Sequence, residues 1–342
     1  MRALSIRTWA GQLEPMDKPE PVPADGEVAI QVLACGVGMT VLNCIRGDLG
    51  QDPSHLPLTP GHELVGRISA VGPGVDPRRV GELVTAYFYL FCGACSRCLA
   101  GQEDLCLELS GYLGVDRDGG YAERTVLPAR NAIALPRGAD PVLSTAVPDA
   151  ISTPVHVAHR AQLGPGRRVV VIGAGGGVGV HMVQVARVFG AEVLGLDVSP
   201  DKLDFLEREL GVRAEDSSDL GRIPASATWG SDGGPDVVVD FIGSPATLTW
   251  SLSSLAPGGR LLTLTTFRDV ALEVSPRELV LREISVLGSR YATRSELSLA
   301  AGLVASGAVT PIVGRREGPD RVLQIHDDLA AGRLLGRGAL VW

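Results

Sequence analysis

Nothing in this sequence is built to cross a bilayer or to grip a nucleic acid. No run of about 18 consecutive apolar residues occurs, so no membrane-spanning helix is expected. Basic residues never cluster, and the net charge of −8 argues against a polyanionic partner. The opening residues, MRALSIRTWAGQLEP, carry neither the apolar stretch nor the cleavage pattern of a secretory leader, so a cytoplasmic location with reduced thiols is expected. Aromatic residues are scarce, at 4% of the chain, whereas glycine is abundant at 43 residues. That balance points away from large aromatic cores and toward α/β packing with many tight turns. A chain of 342 residues exceeds one ordinary core, so two domains are expected.

The six cysteines are distributed unevenly. Four fall in the stretch FCGACSRCLAGQEDLC, where Cys92, Cys95, Cys98 and Cys106 are spaced C-x2-C-x2-C-x7-C. In a reducing compartment such crowding suits a metal better than disulfides. Four thiolates close a tetrahedron around zinc and leave no position for water or substrate. The lobe 91–107 therefore reads as a structural clip, with an iron–sulfur centre or a metal-free loop as the alternatives. Cys35 and Cys44 read as small buried hydrophobes.

Two styles of pattern divide the chain. Residues 1–150 look like short strands broken by Pro and Gly, with strand composition at 26–38, 62–74 and 81–90. From residue 167 the pattern becomes apolar strand, glycine loop, helix, and then alternating strands and helices through 235–243, 258–266 and 284–289, which implies a doubly wound parallel sheet. Two helical patterns at 295–307 and 321–332 precede a last short strand, GALVW, a tail suited to pack back on the first domain.

The loop GAGGGVG at 173–179 follows the buried strand and opens the helix. Gly173, Gly176 and Gly179 allow backbone N–H groups and the helix N-terminus to approach a pyrophosphate. Asp197 ends the next strand, 18 residues after Gly179, where a carboxylate accepts both ribose hydroxyls and repels a 2′-phosphate. A solvated strand end is the plain alternative for Asp197. The cofactor set is thus Gly173, Gly176, Gly177, Val178, Gly179, Asp197 and Lys202, and the cofactor is NAD rather than NADP.

Taken together, GHE at 61–63, the four-cysteine lobe, GGYAERTVLPARNAIALP at 119–136, the glycine loop and LDVSPDK at 196–202 resemble the zinc-containing medium-chain alcohol dehydrogenase family over nearly the whole length. The resemblance implies an α/β protein with a GroES-like β-rich catalytic domain (1–150 and 292–342) and a Rossmann dinucleotide-binding domain (151–291), the active site lying in the cleft between them. It implies hydride transfer between nicotinamide and an alcohol or carbonyl carbon, a second, catalytic zinc as Lewis acid, and assembly as a homodimer or homotetramer.

The resemblance breaks at the catalytic ligands. In GVGMTV, Gly38 stands where the family has a cysteine ligand, and Val41 replaces an aspartate that supports the metal from outside. Asn43 replaces a proton-relaying histidine, while Thr40 keeps the hydroxyl that passes on the substrate's proton. His62, Glu63 and Asp149 match the remaining ligand positions. Their plain alternatives are a satisfied cleft histidine, a buried partner of an arginine and a helix N-cap. Tyr87, Phe88 and Tyr89 are pocket walls or core. The catalytic set is therefore Thr40, His62, Glu63 and Asp149, with an altered or absent second zinc. On the sequence alone, Gly38→Cys is expected to raise the metal content. A metal-free reductase of an activated C=C bond and a non-enzymatic dinucleotide sensor are the alternative functions.

Overall fold

The computed structural model describes residues 1–223, 229, 233–266 and 269–342. The chain forms two compact units. The first comprises Met1–Ser152, Ala292–Gly307 and Pro311–Trp342; the second comprises Thr153–Tyr291 with Ala308–Thr310.

In the first unit the strand Glu27–Val37 is the hub. Val28, Ile30 and Val32 are β-branched and buried, so this segment prefers a pleated, enclosed setting. It pairs antiparallel with Leu64–Val71, Arg124–Pro128 and the C-terminal strand Arg337–Val341. Leu83–Ala86, Ala132–Ala134 and Val313–Glu317 complete a sheet of seven strands among the described residues. The chain's tail therefore closes onto its beginning, with Gly338 opposite Val37 and Leu340 opposite Cys35.

Three details differ from the sequence reading. The third strand ends at Ala86, and Tyr87–Leu90 continue as irregular chain, with Tyr89 in a lone bridge to Tyr112. Residues 39–46 form a helix, Met39–Arg46, inside a region that reads as all strand. Gly38 caps its start in an extended conformation, and Gly47 at φ +82° ends it by donating to Asn43 and Cys44 carbonyls. Asp149 is not a side-chain N-cap either. It lies within a π-helical turn, Val147–Ile151, that runs directly into the helix Ser152–Ala161.

The second unit is a parallel sheet in the order Arg213–Asp216, Glu192–Asp197, Arg168–Ile172, Val237–Asp240, Arg260–Thr263 and Ser285–Gly288. Chain order reverses at Arg168–Ile172, whose neighbours are the second and fourth strands in sequence. That is the position where doubly wound sheets open a crevice at their carboxyl ends. Valines 169–171 and 237–239 are buried, as strands covered on both faces require.

Within the first unit, His326 on the helix Val322–Ala330 is buried with its Nε2 2.9 Å from the Tyr121 hydroxyl. Burial pushes the imidazole down to about 4, so the folded protein holds it neutral. The unfolded chain binds that proton near pH 6.5, so this contribution to stability is complete above pH 6.5 and is lost as pH falls toward 4. Urea unfolding at pH 7 and pH 5 should show the parent losing about 2 kcal/mol more on acidification than His326→Gln. Equal acid sensitivity in the two proteins would remove His326 as the source.

Candidate active site

The cysteine lobe is folded by two glycines in the left-handed region, Gly93 at φ +79° and Gly101 at φ +70°. They turn the chain around a one-turn helix, Ser96–Leu99, and bring the four sulfurs together. The Sγ separations are 3.5 Å for Cys95–Cys98, 3.6 Å for Cys92–Cys106, 3.8 Å for Cys92–Cys98 and 4.0 Å for Cys95–Cys106. A tetrahedron with zinc–sulfur bonds of about 2.3 Å has edges of about 3.8 Å, so the four thiols fit that ion. A disulfide would need about 2.05 Å, and all six cysteines are free. Backbone N–H groups of Cys95 and Leu107 donate to Sγ atoms of Cys92 and Cys95 at 3.3 and 3.5 Å. All four corners are protein sulfur, so the lobe holds chain together and has no open coordination position.

The second cluster assembles from distant segments of the same unit. His62 and Glu63 lead into the strand Leu64–Val71, and Asp149 comes from the π-turn. Their ligand-type atoms lie within 4.8 Å of one another. His62 Nε2 is 3.5 Å from Asp149 Oδ2 and 3.9 Å from Glu63 Oε1. The same two carboxylate oxygens are held by Arg337, whose Nη2 donates to Glu63 Oε1 at 2.5 Å and to Asp149 Oδ2 at 2.6 Å. Sequence reasoning named the three ligands and missed the fourth member.

Register explains how Arg337 arrives there. The C-terminal strand pairs Gly338 with Val37, so one residue further places Arg337 across from Gly38. The Gly36 N–H donates to the Glu63 carbonyl at 2.9 Å on the other edge of the same strand. Residues two apart on a strand face the same side. At Gly36 a Cβ would come within 2.1 Å of Glu63 Oε2, and at Gly38 within 2.2 Å of Arg337 Nη1. The two glycines clear one face of the strand for an ion pair.

Arg337 and Glu63 are both buried. Burial pushes the Glu63 carboxyl up to about 7, with the guanidinium pulling against it. Burial also works against the Arg337 charge, and the carboxylates more than offset it, so the guanidinium stays charged. His62 Nε2, Glu63 Oε2 and Arg337 Nε have no hydrogen-bond partner among the described residues, and the His62 ring packs on Phe88 with centroids 4.4 Å apart. A second zinc does not fit this arrangement. One oxygen of each would-be carboxylate ligand, Glu63 Oε1 and Asp149 Oδ2, already holds a cation. A dication about 4 Å from that charge would meet a repulsion of about 8 kcal/mol at an effective dielectric of about 20.

The other expected residues are dispersed. Thr40 is half-buried in the first turn of Met39–Arg46, two residues from Gly38. Val41 is buried, and Asn43 is half-buried on the same helix. Tyr87, Phe88 and Tyr89 are all buried, and the Tyr87 hydroxyl donates to the Ala292 carbonyl at 2.8 Å. Cys35 and Cys44 are buried thiols, and burial raises the pKa of each, that of Cys44 to about 12.

In the second unit, Gly173 turns at φ +78° directly after the strand Arg168–Ile172, and the helix Gly179–Val188 follows. A Cβ on Gly179 would meet the Gly173 carbonyl oxygen at 2.1 Å, so glycine is obligatory there. A Cβ on Gly176 would be 3.2 Å from that oxygen, a tight approach. Gly177 accepts from or donates through no side chain of its own, but its carbonyl lies 2.9 Å from His181 Nδ1, and Val178 is the helix N-cap. Asp197 ends Glu192–Asp197 beside this loop: Oδ2 accepts from the Gly175 N–H at 2.8 Å, and Oδ1 from Val198 and Ser199 at 2.9 and 3.1 Å. Lys202 is half-buried on Pro200–Arg208, its side chain alongside Gly175. The resulting cradle of glycines, a helix N-terminus and a fixed carboxylate fits a dinucleotide.

Cys92→Ser or Cys106→Ser should release zinc and lower thermal stability; a variant that keeps fold and zinc but loses turnover would contradict a purely structural lobe. Arg337→Ala should cost about 3–5 kcal/mol in a urea titration, because it leaves the buried Glu63 and the half-buried Asp149 carboxylates facing each other. A loss under about 1 kcal/mol would mean the ion pair is dispensable.

Comparison with known proteins agrees with this anatomy. Residues 24–137 match the model for the alcohol dehydrogenase GroES-like domain, and residues 177–306 the model for the zinc-binding dehydrogenase domain. An alcohol dehydrogenase of Geobacillus stearothermophilus is 31% identical, with 98% of each chain covered. An NAD-dependent alcohol dehydrogenase of Sulfurisphaera tokodaii is 30% identical, with 100% of each covered. The cobalt- and zinc-bound thermostable alcohol dehydrogenase of Pyrobaculum aerophilum superposes with a TM-score of 0.89 at 28% identity, covering 100% of this chain and 99% of that one. This chain therefore belongs to the zinc-containing medium-chain alcohol dehydrogenase family and is an oxidoreductase of the alcohol dehydrogenase type.

Proposed function

We propose that this protein is an NAD-dependent oxidoreductase that moves a hydride between nicotinamide and the alcohol or carbonyl carbon of a small molecule, with zinc held in the cysteine lobe alone. The observation that carries the cofactor reading is Asp197, fixed by three backbone N–H groups beside the glycine loop. A carboxylate so placed accepts hydrogen bonds from a ribose 2′-hydroxyl and repels a 2′-phosphate. The relative from Sulfurisphaera tokodaii, an NAD-dependent alcohol dehydrogenase, supports the same choice. Bound NAD would supply the hydride acceptor, and the loop Gly173–Gly179 would hold its pyrophosphate.

The chain's own polar groups would handle the substrate. Thr40 would orient the substrate oxygen, and His62 and Asp149 would move its proton, directly or through a water. His62 suits this role because its Nε2 has no hydrogen-bond partner among the described residues and faces a carboxylate 3.5 Å away. Reduction of an activated C=C bond is less well supported. The cysteine lobe and Asp197 both point to the alcohol dehydrogenase branch, as do the relatives from Geobacillus stearothermophilus and Sulfurisphaera tokodaii. No described helix is long and apolar enough to cross a membrane. We read the protein as cytoplasmic and as a homodimer or homotetramer, the arrangement its family resemblance implies.

NADH should bind more tightly than NADPH by fluorescence titration, and Asp197→Ser should narrow the difference at least tenfold. Equal or tighter NADPH binding by the parent protein would overturn the NAD reading.

A further inference from the structure

We infer that Arg337 is the resident cation of the active site: its guanidinium takes the place of a second metal, and the protein carries one divalent ion per chain, in the cysteine lobe. Four observations converge on this. Gly38 lacks the thiolate, and the space a side chain there would fill is held by Arg337 Nη1, 2.2 Å from the Cβ position. The two carboxylates otherwise available to a metal both accept from Arg337 Nη2. Gly36 leaves the room that Glu63 occupies, since a Cβ there would fall 2.1 Å from Glu63 Oε2. Val41 buries an apolar group where a further carboxylate would support a metal.

Charge bookkeeping makes the substitution coherent. A dication with a thiolate and carboxylates is exchanged for a monocation with two carboxylates and a histidine. The cation that remains is covalently part of the chain, is not exchangeable, and cannot lose its proton at any pH the fold survives. A guanidinium donates hydrogen bonds but does not ligate, so His62 is left as the site's unligated base. The catalytic consequence rests on the oxidoreductase reading; the assignment of the cation does not.

Sequence alone suggests that Gly38→Cys restores a metal. The geometry reverses that expectation, because the new side chain would collide with Arg337, which still holds one oxygen of each carboxylate. Zinc per chain is to be measured by elemental analysis after purification with zinc and dialysis. The parent protein should hold one ion, and Cys92→Ser should reduce it to none. Gly38→Cys should remain at one, whereas the double variant Gly38→Cys with Arg337→Ala should rise to two. Two ions in the parent, one ion surviving in Cys92→Ser, or two ions in Gly38→Cys with Arg337 intact would each overturn the assignment. So would a folded double variant, confirmed by circular dichroism, that stays at one ion. The parent count needs no variant to fold. If the counts come out as expected but no alcohol or carbonyl panel gives turnover, the functional reading fails and the Arg337 assignment stands.

Discussion

The ion pair of Arg337 with Glu63 and Asp149 ties together three parts of the chain that nothing else in the sequence relates. A buried guanidinium is tolerated only where carboxylates surround it, and a buried carboxylate only where a cation does. Arg337 begins the C-terminal strand and Glu63 immediately precedes Leu64–Val71, the two strands that flank Glu27–Val37, and Asp149 reaches them from the π-turn. The backbone between them is shaped by this requirement. Gly36 and Gly38 leave room, the helix Met39–Arg46 starts immediately beyond, and the last strand must pair in one register to deliver position 337.

The cysteine lobe and the polar cluster are separate devices in this molecule. The cysteine lobe is a local device, closed within sixteen residues, and its four sulfurs leave nothing for a substrate. The polar cluster around His62 is a tertiary device with a fixed charge and an unpartnered ring nitrogen. The second unit supplies the dinucleotide cradle at the strand reversal of its parallel sheet. Relatives with ordinary alcohol dehydrogenase names share the fold over the full length, so the altered cluster is a change in a site and not in an architecture.

Much of this was legible in the residues. The lobe and the glycine loop depend on spacing and on turn chemistry, which act over a few residues and survive any tertiary context. Asp197 was placed by its distance from the loop, because a strand and a helix of ordinary length separate the two. Strand ends were less legible: Tyr87–Leu90 have strand composition, yet they are buried outside the ladder by packing around His62 and Tyr112. The helix Met39–Arg46 was missed because Val41 and Ile45 carry β propensity, and the Gly47 cap lies a full eight-residue helix beyond where the strand reading stopped.

What the sequence determined by itself is therefore the family, the two styles of domain, the clip and the cofactor loop, together with the loss of a thiolate at Gly38. It offered two hints of the rest: glycines two apart on one strand, and a single arginine entering an apolar last strand. Only the tertiary structure joined them. Arg337 lies 274 residues from Glu63 and 188 from Asp149 in sequence. Whether it points into solvent or into the ligand set is decided by strand register, since a shift of one residue sends every side chain to the opposite face.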